Sequence, residues 1–288
     1  MAYTERLHVI DINASLLSAF TRMTEQNLHR LTVVDSQMRG RGVLSSLRLL
    51  DVLAGRRGDG IKEREGEKLE SLLEEPVQLF VGEYLHELSQ DIPLRGMISY
   101  IMENKVGHIV LTDQAGTLGG IVTGRCILKR LPLKEYGISI SEVMTPEVHT
   151  LPPESTIRDA VEMLASHNIR RLPIVDEREI KGMINAKRLL KSFTLSDLPP
   201  GRALSRDDVD RIMSKTLEST GLETPKTLRE DNDVLSLLEE MRETDQRAFP
   251  ILKEDSLKGI ATSRDILCEL PRIMGIEEFL RLIQYEDI

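Results

Sequence analysis

Hydrophobic and polar positions follow one pattern along this chain, and it returns four times. Apolar side chains stand at i, i+3, i+4 and i+7 in Leu16, Ala19, Phe20 and Met23; in Leu94, Met97, Ile98 and Ile101; in Ile157, Ala160, Val161 and Leu164; and in Val234, Leu237, Leu238 and Met241. This spacing draws one apolar stripe down an α-helix. After each helix a basic or histidine-bearing segment leads into a β-rich run. The four runs are His29-Arg30-Leu31-Thr32-Val33-Val34-Asp35, His108-Ile109-Val110-Leu111, Arg170-Arg171-Leu172-Pro173-Ile174-Val175-Asp176 and Arg247-Ala248-Phe249-Pro250-Ile251-Leu252. A glycine then opens a second strand, at Gly42, Gly120, Gly182 and Gly259.

The clearest copy runs from Ile140 to Phe193. Ser155 and Thr156 offer an N-cap, with Asp159 three residues after Thr156. Leu172 to Val175 reads as a strand, Asp176 to Glu179 as a polar turn and Ile180 to Ile184 as a second strand, while Leu189, Leu190 and Phe193 form the apolar face of a closing helix. The repeating unit is strand, helix, strand, strand, helix, and the fold class is α/β, built of four βαββα repeats.

The four glycines are separated by 78, 62 and 77 residues. Long, short, long suggests that repeat one pairs with two and repeat three with four. The first insertion, residues 55–76, begins as a glycine-rich basic loop and becomes a charged helical stretch ending at Pro76. The second, 194–208, carries Pro199, Pro200 and Gly201 and leads into a helix from about Asp207. The junction Lys129 to Gly137 places a domain boundary near Tyr136. The first domain is 1–136, with repeats at about 1–55 and 77–132; the second is 137–288, with repeats at about 140–193 and 209–270 and a C-terminal helix to 288.

Composition narrows the function classes. The 288 residues fit two domains, 40% are apolar and 30% charged, and no run of 18 uncharged apolar residues or signal peptide is present. The expectation is a soluble cytoplasmic protein. Cys126 and Cys268 lie far apart without metal-type spacing, which argues against a disulfide framework or zinc site. A net charge of −9 argues against broad nucleic-acid binding, although a local basic cleft would be compatible with it. No Ser/His/Asp, Cys/His or paired-carboxylate constellation stands out, nor a Walker-type phosphate loop, so no enzyme and no metal is expected.

The stretch around Val143 and Met144 (EVMTP), the capped helix, RRLPIVD, the strand KGMI and the helix after it resemble the CBS motif, named for cystathionine β-synthase. The third repeat carries the resemblance most fully and the fourth next; the first and second share it through the repetition. The four-motif layout is similar to the γ subunit of AMP-activated protein kinase and its stand-alone archaeal relatives. The resemblance implies that consecutive motifs pack as pseudo-two-fold Bateman modules, disc-like in assembly. It also implies that adenosine-containing ligands bind in clefts between paired motifs.

An adenine nucleotide needs an apolar slot for the base, an acceptor for the ribose hydroxyls, and cations or free amides for phosphate. Repeat four offers Gly259-Ile260-Ala261-Thr262-Ser263-Arg264-Asp265, where Thr262 can cap a helix whose first amides face an anion. Asp265 resembles the family's ribose-binding aspartate; the same spacing is also that of a plain capping box. Repeat two keeps Thr123 but has Cys126 in the aspartate's place, so a phosphate could dock while the ribose clamp is lost. Repeats one and three have Ser45 with Arg48 and Asn185 with Arg188, and an arginine cannot accept from a ribose hydroxyl. Those clefts are then empty, bind through phosphate, or end in a solvated arginine. His29, Arg30, His108, Arg170, Arg171 and Arg247 hold equivalent places and together suit phosphates converging on common clefts or a central channel. Taken singly they read equally as surface residues, and His108 as a packed histidine. The resemblance assigns the base-lining edge of the Asp265 site to Thr150, Leu151 and Pro152.

The expected function is a non-catalytic sensor that binds AMP, ADP or ATP and passes occupancy to a protein effector or a homodimer, with no membrane partner. The alternatives are S-adenosylmethionine or a related adenosine ligand, and a ligand-free scaffold. A nucleic-acid role through the Gly55 to Gly60 loop rests on two arginines alone.

Overall fold

A computed structural model of the protein describes residues 4–54, 69–82, 85–193, 205–244 and 246–284. The basic loop expected at 55–60 and the connection 194–204 lie outside the described residues. The end of the first insertion is helical, Leu69–Glu74, and the second leads into the helix Arg206–Met213, capped by Ser205.

The four apolar stripes fold as the helices Leu16–Glu25, Leu94–Asn104, Ile157–Ser166 and Val234–Glu243. Every stripe residue is buried except Leu94, which is half-buried. Thr156 and Asp159 form the predicted capping box, with the Thr156 amide donating to Asp159 Oδ2 at 2.7 Å. An antiparallel strand pair follows each helix: Arg30–Val34 with Gly40–Ser45, His108–Thr112 with Leu118–Thr123, Arg171–Asp176 with Glu179–Asn185, and Ala248–Lys253 with Ser256–Thr262. The closing helices are Ser46–Ala54, Gly124–Leu128, Ala186–Lys191 and Ser263–Met274. A leading strand runs parallel to the first strand of the pair in repeats one, two and four, and a single parallel bridge, Leu151 to Ile174, takes its place in repeat three.

The four glycines sit inside the second strands rather than at their openings, opposite Val33, Leu111, Ile174 and Ile251, and the register shifts immediately beyond each pair. The reason is steric. A Cβ on Gly259 would lie 2.4 Å from Met144 Sδ and 2.9 Å from the Thr145 carbonyl oxygen; on Gly182 it would lie 2.7 Å from Leu222 Cβ, and on Gly120 3.2 Å from Thr4 Cβ. At each of these positions a segment that leads into another repeat crosses the strand, and only a residue without a side chain lets it pass.

The chain forms two compact units. One comprises residues through Leu7, His86–Val148 and Pro225–Ile288, and the other His8–Leu85 and His149–Thr224. The first therefore gathers repeats two and four and the second repeats one and three. Helix faces explain the grouping: Ser46–Ala54 packs on Ile157–Ser166 and Ala186–Lys191 in one unit, and Ser263–Met274 packs on Leu94–Asn104, Gly124–Leu128 and Ile276–Gln284 in the other. Each unit has its own apolar core. The leading segments are exchanged within consecutive pairs. Thr4–Glu5 pairs with Ile121 and Val122 of repeat two, Thr145 exchanges two 2.9 Å backbone hydrogen bonds with Ile260 of repeat four, and Leu222 crosses Gly182 of repeat three. In the first unit Asp233, the N-cap of Val234–Glu243, accepts from the amides of Tyr136, Gly137, Ile138 and Leu235.

Gly259→Ala is expected to destabilise the protein by about 1–3 kcal/mol, because the Thr145 backbone must move. A thermal or urea melt reads the loss. Asp233→Ala leaves several amides of the junction without their acceptor and is expected to cost about 1–3 kcal/mol by the same measurement.

Candidate functional site

In repeat four the strand Ser256–Thr262 passes directly into the helix Ser263–Met274. Thr262 is extended, at φ −131 and ψ 169, and caps the helix. Its amide and its hydroxyl both donate to Asp265 Oδ2, at 2.8 and 2.6 Å. The capping box is therefore present. A further donor comes from the leading segment of repeat three: the Thr145 hydroxyl reaches Asp265 Oδ1 at 3.1 Å, held in place by the bridge to Ile260. Asp265 is 9% exposed. An ionised carboxylate offers about four acceptor positions, and three are taken here, two of them by hydroxyls. Asp265 is thus an acceptor arranged to receive hydroxyl donors.

Thr145 is the residue sequence reasoning passed over. Its signal is a lone hydroxyl in the apolar run Val143-Met144-Thr145, just ahead of the strand. Its partner, 120 residues away, is invisible in the sequence.

The strand register gathers the basic segments at the helix starts. Arg30 lies opposite Ser45, His108 opposite Thr123 and Arg171 opposite Asn185. In repeat four the residue opposite Thr262 is Ala248, and Arg247, one position earlier, is exposed. Arg264 is exposed, and its Cβ lies 3.9 Å from where a side chain on Gly107 would begin. The helix starts of repeats two and four meet closely, since a Cβ on Gly124 would lie 3.2 Å from Ser263 Oγ. His108 is buried. Thr123, His108, Arg247, Thr262, Arg264 and Asp265 thus share one unit. His29, Arg30, Arg170, Arg171, Thr150, Leu151 and Pro152 belong to the other. There Leu151 is fixed by hydrogen bonds to Pro173 and from Val175, at 3.3 and 2.9 Å, and the His29 carbonyl accepts from the Ser46 amide.

The helix start of repeat two reverses the polarity found in repeat four. Thr123 Oγ1 accepts from the Cys126 amide at 3.3 Å and shares a hydrogen bond with Cys126 Sγ at 3.0 Å. Glu5, on the leading strand opposite Ile121, hydrogen-bonds to the thiol. Here the carboxylate sits on the leading segment and the donor on the helix. Burial pushes the Cys126 thiol above the ordinary cysteine range, and Glu5 adds to the rise against the lowering effect of Thr123.

Repeats one and three correct an expectation. Their arginines are bonded to backbone carbonyls rather than free in solvent. Arg48 Nε donates to the Phe80 carbonyl at 3.0 Å. Arg188 donates to the carbonyls of Thr220, at 3.3 Å, and Gly221, and pairs with Glu223 at 3.1 Å. The planar guanidinium fork suits neighbouring carbonyl oxygens, so each arginine straps a leading segment to the helix start. In these repeats the place of the aspartate holds a guanidinium, which donates and cannot accept.

Among the described residues no group of three or more His, Cys, Asp or Glu side chains could hold a metal ion, and no helix is long and apolar enough to cross a membrane. With its pKa raised, Cys126 remains a thiol at neutral pH. Its alkylation by iodoacetamide at pH 8 is expected to be at least several-fold slower than that of a free cysteine, measured by mass spectrometry of the labelled peptide. Labelling at the free-thiol rate would contradict the buried arrangement.

Comparison with known proteins agrees with this architecture. The CBS domain family matches residues 2–55, 140–194 and 209–272. An uncharacterized 33.4 kDa protein in a ribosomal RNA operon of Thermofilum pendens is 26% identical over 293 residues, spanning 95% of this chain and 91% of its own length. The crystal structure of a Methanocaldococcus jannaschii protein, proposed as an archaeal homolog of g-AMPK, covers 92% of this chain and 96% of its own at 22% identity and a TM-score of 0.79. An uncharacterized conserved protein from Pyrococcus horikoshii covers the same shares at 16% identity and a TM-score of 0.56. At such identities the two structures speak for the fold alone. The family match takes in three of the repeats, the remaining one reproduces their helix, strand pair and register shift, and the chain belongs to the CBS domain family.

Proposed function

We propose that the protein is a non-catalytic regulatory sensor that binds an adenine nucleotide (AMP, ADP or ATP) at the start of the helix Ser263–Met274. The observation that carries this reading is the Asp265 carboxylate, nearly buried and already receiving hydroxyls from Thr262 and Thr145. In this reading the ribose hydroxyls take over part of that bonding. The phosphate is met by the first-turn amides and by Arg264. Repeats one and three hold arginine straps where an acceptor is needed, which supports assigning the nucleotide to repeat four, with Thr123 offering a lesser phosphate position in repeat two.

The same contact supplies a route for signalling. Thr145 belongs to the segment leading into repeat three, so a ribose that competes for Asp265 loosens the hold on that segment. A ligand with different affinity for the held and released arrangements shifts the balance between them, and an effector protein or a second copy of the chain reads the shift.

One observation favours a second ligand class. The residue opposite Thr262 is Ala248, where repeats one, two and three have Arg30, His108 and Arg171. A less basic start suits an adenosine ligand without phosphate, such as S-adenosylmethionine.

Calorimetric titration of dialysed protein with AMP, ATP and S-adenosylmethionine separates the readings. For a nucleotide sensor, AMP or ATP binds and Asp265→Asn weakens binding by roughly 10-fold or more, the scale of a charge-assisted hydrogen bond. The asparagine keeps an acceptor for the Thr262 amide, so the variant remains folded, as a melt verifies. No heat and no thermal stabilisation at millimolar nucleotide would sink the proposal. Binding of S-adenosylmethionine alone would move it to the second class.

A further inference from the structure

Two histidines that take no part in the nucleotide site lie ring against ring on the surface of the second unit. His149 stands two residues before Leu151, in the segment leading into repeat three; His167 is the C-cap of the helix Ile157–Ser166. Their ring centroids are 3.8 Å apart and the planes are tilted by 43°. Both residues are exposed, so burial does not force the two imidazoles together.

The backbone on each side is fixed. Leu151 is bonded into the strand Arg171–Asp176 through Pro173 and Val175. The helix ends in a tight turn at Asn168, φ 50, with the Ile169 amide returning to the Leu164 carbonyl at 3.0 Å.

The ring of His167 is held through Nδ1. Its Nδ1 lies 3.1 Å from the Met163 carbonyl oxygen and 2.9 Å from Ser166 Oγ. A carbonyl oxygen only accepts, so the bond to Met163 forms in the tautomer with the proton on Nδ1, which leaves the lone pair on Nε2. A histidine that gives one ring N–H to a backbone carbonyl and keeps the other nitrogen bare is arranged as a metal ligand is. Among the described residues, nothing but the His167 ring engages the ring of His149, so either of its nitrogens can turn to the same ion.

We infer that His149 and His167 form a surface site for a borderline divalent transition-metal ion of the zinc, nickel and copper class, with water in the remaining positions. Paired imidazoles select this class, whereas magnesium and calcium require oxygen ligands that the pair does not supply. Metal–nitrogen bonds of about 2.0–2.1 Å require the stacked rings to open by only about 1 Å, a movement two exposed side chains can make. A bound ion staples the segment leading into repeat three to the end of the helix that follows it.

The test uses full-length protein stripped with EDTA. Zinc is titrated calorimetrically, and copper(II) is added separately for electron paramagnetic resonance. The inference expects one zinc per chain, a raised Tm with zinc but not with magnesium, and nitrogen hyperfine structure from two imidazoles on copper. His149→Ala and His167→Ala should each weaken zinc binding more than 10-fold and remove the Tm rise. Both positions are exposed, so the metal-free variants should melt as the parent does. Zinc binding of unchanged strength in the two variants would assign the ion to others among the six histidines and overturn the inference. So would the absence of both heat and thermal stabilisation in the parent protein.

Discussion

The passage of a leading segment across a side-chain-free strand position is the constraint on which the rest of this structure depends. At Gly259 the Met144 side chain and the Thr145 carbonyl come so near that even a methyl group would collide with them. The closeness lets Thr145 form both backbone bonds with Ile260, which sets its hydroxyl against Asp265. The same crossing recurs at Gly120 and Gly182 with other residues. Strand register, segment exchange and the chemistry at the helix start all follow from it.

With the crossing fixed, the third residue of each closing helix becomes the position that answers the leading segment. Asp265 answers with a carboxylate to a hydroxyl, Cys126 with a thiol to a carboxylate, and Arg48 and Arg188 with guanidinium groups to backbone carbonyls. Four copies of one backbone thus carry the same contact in three chemistries and two polarities. Asp265 is the carboxylate among these side chains, and three of its about four acceptor positions are taken within the protein.

Much of the fold was legible because its determinants are local. The apolar stripes, the Thr156–Asp159 cap and the strand pairs depend on spacing within a few residues, and periodicity reports such spacing directly. The grouping of repeat one with three and two with four was not legible. It depends on which helix faces meet, and the stripes are nearly alike in all four copies. At the candidate site, Thr262 and Asp265 were marked by motif, while Thr145 was hidden by sequence distance. The straps of Arg48 and Arg188 were hidden for a different reason. Their acceptors are backbone carbonyls, which every residue possesses and no sequence pattern marks.

The cluster of amides around Asp233 has a consequence for how this chain could have grown. Tyr136, Gly137 and Ile138 are the residues where a simple duplication of a two-repeat ancestor would have left its seam, and a seam is ordinarily slack. Here it is gathered onto one carboxylate from repeat four. Each compact unit, moreover, draws residues from both sides of it. A half-chain ending at this point would expose half of two cores instead of completing one. The joint between the halves is thereby tied into the packing of the first unit.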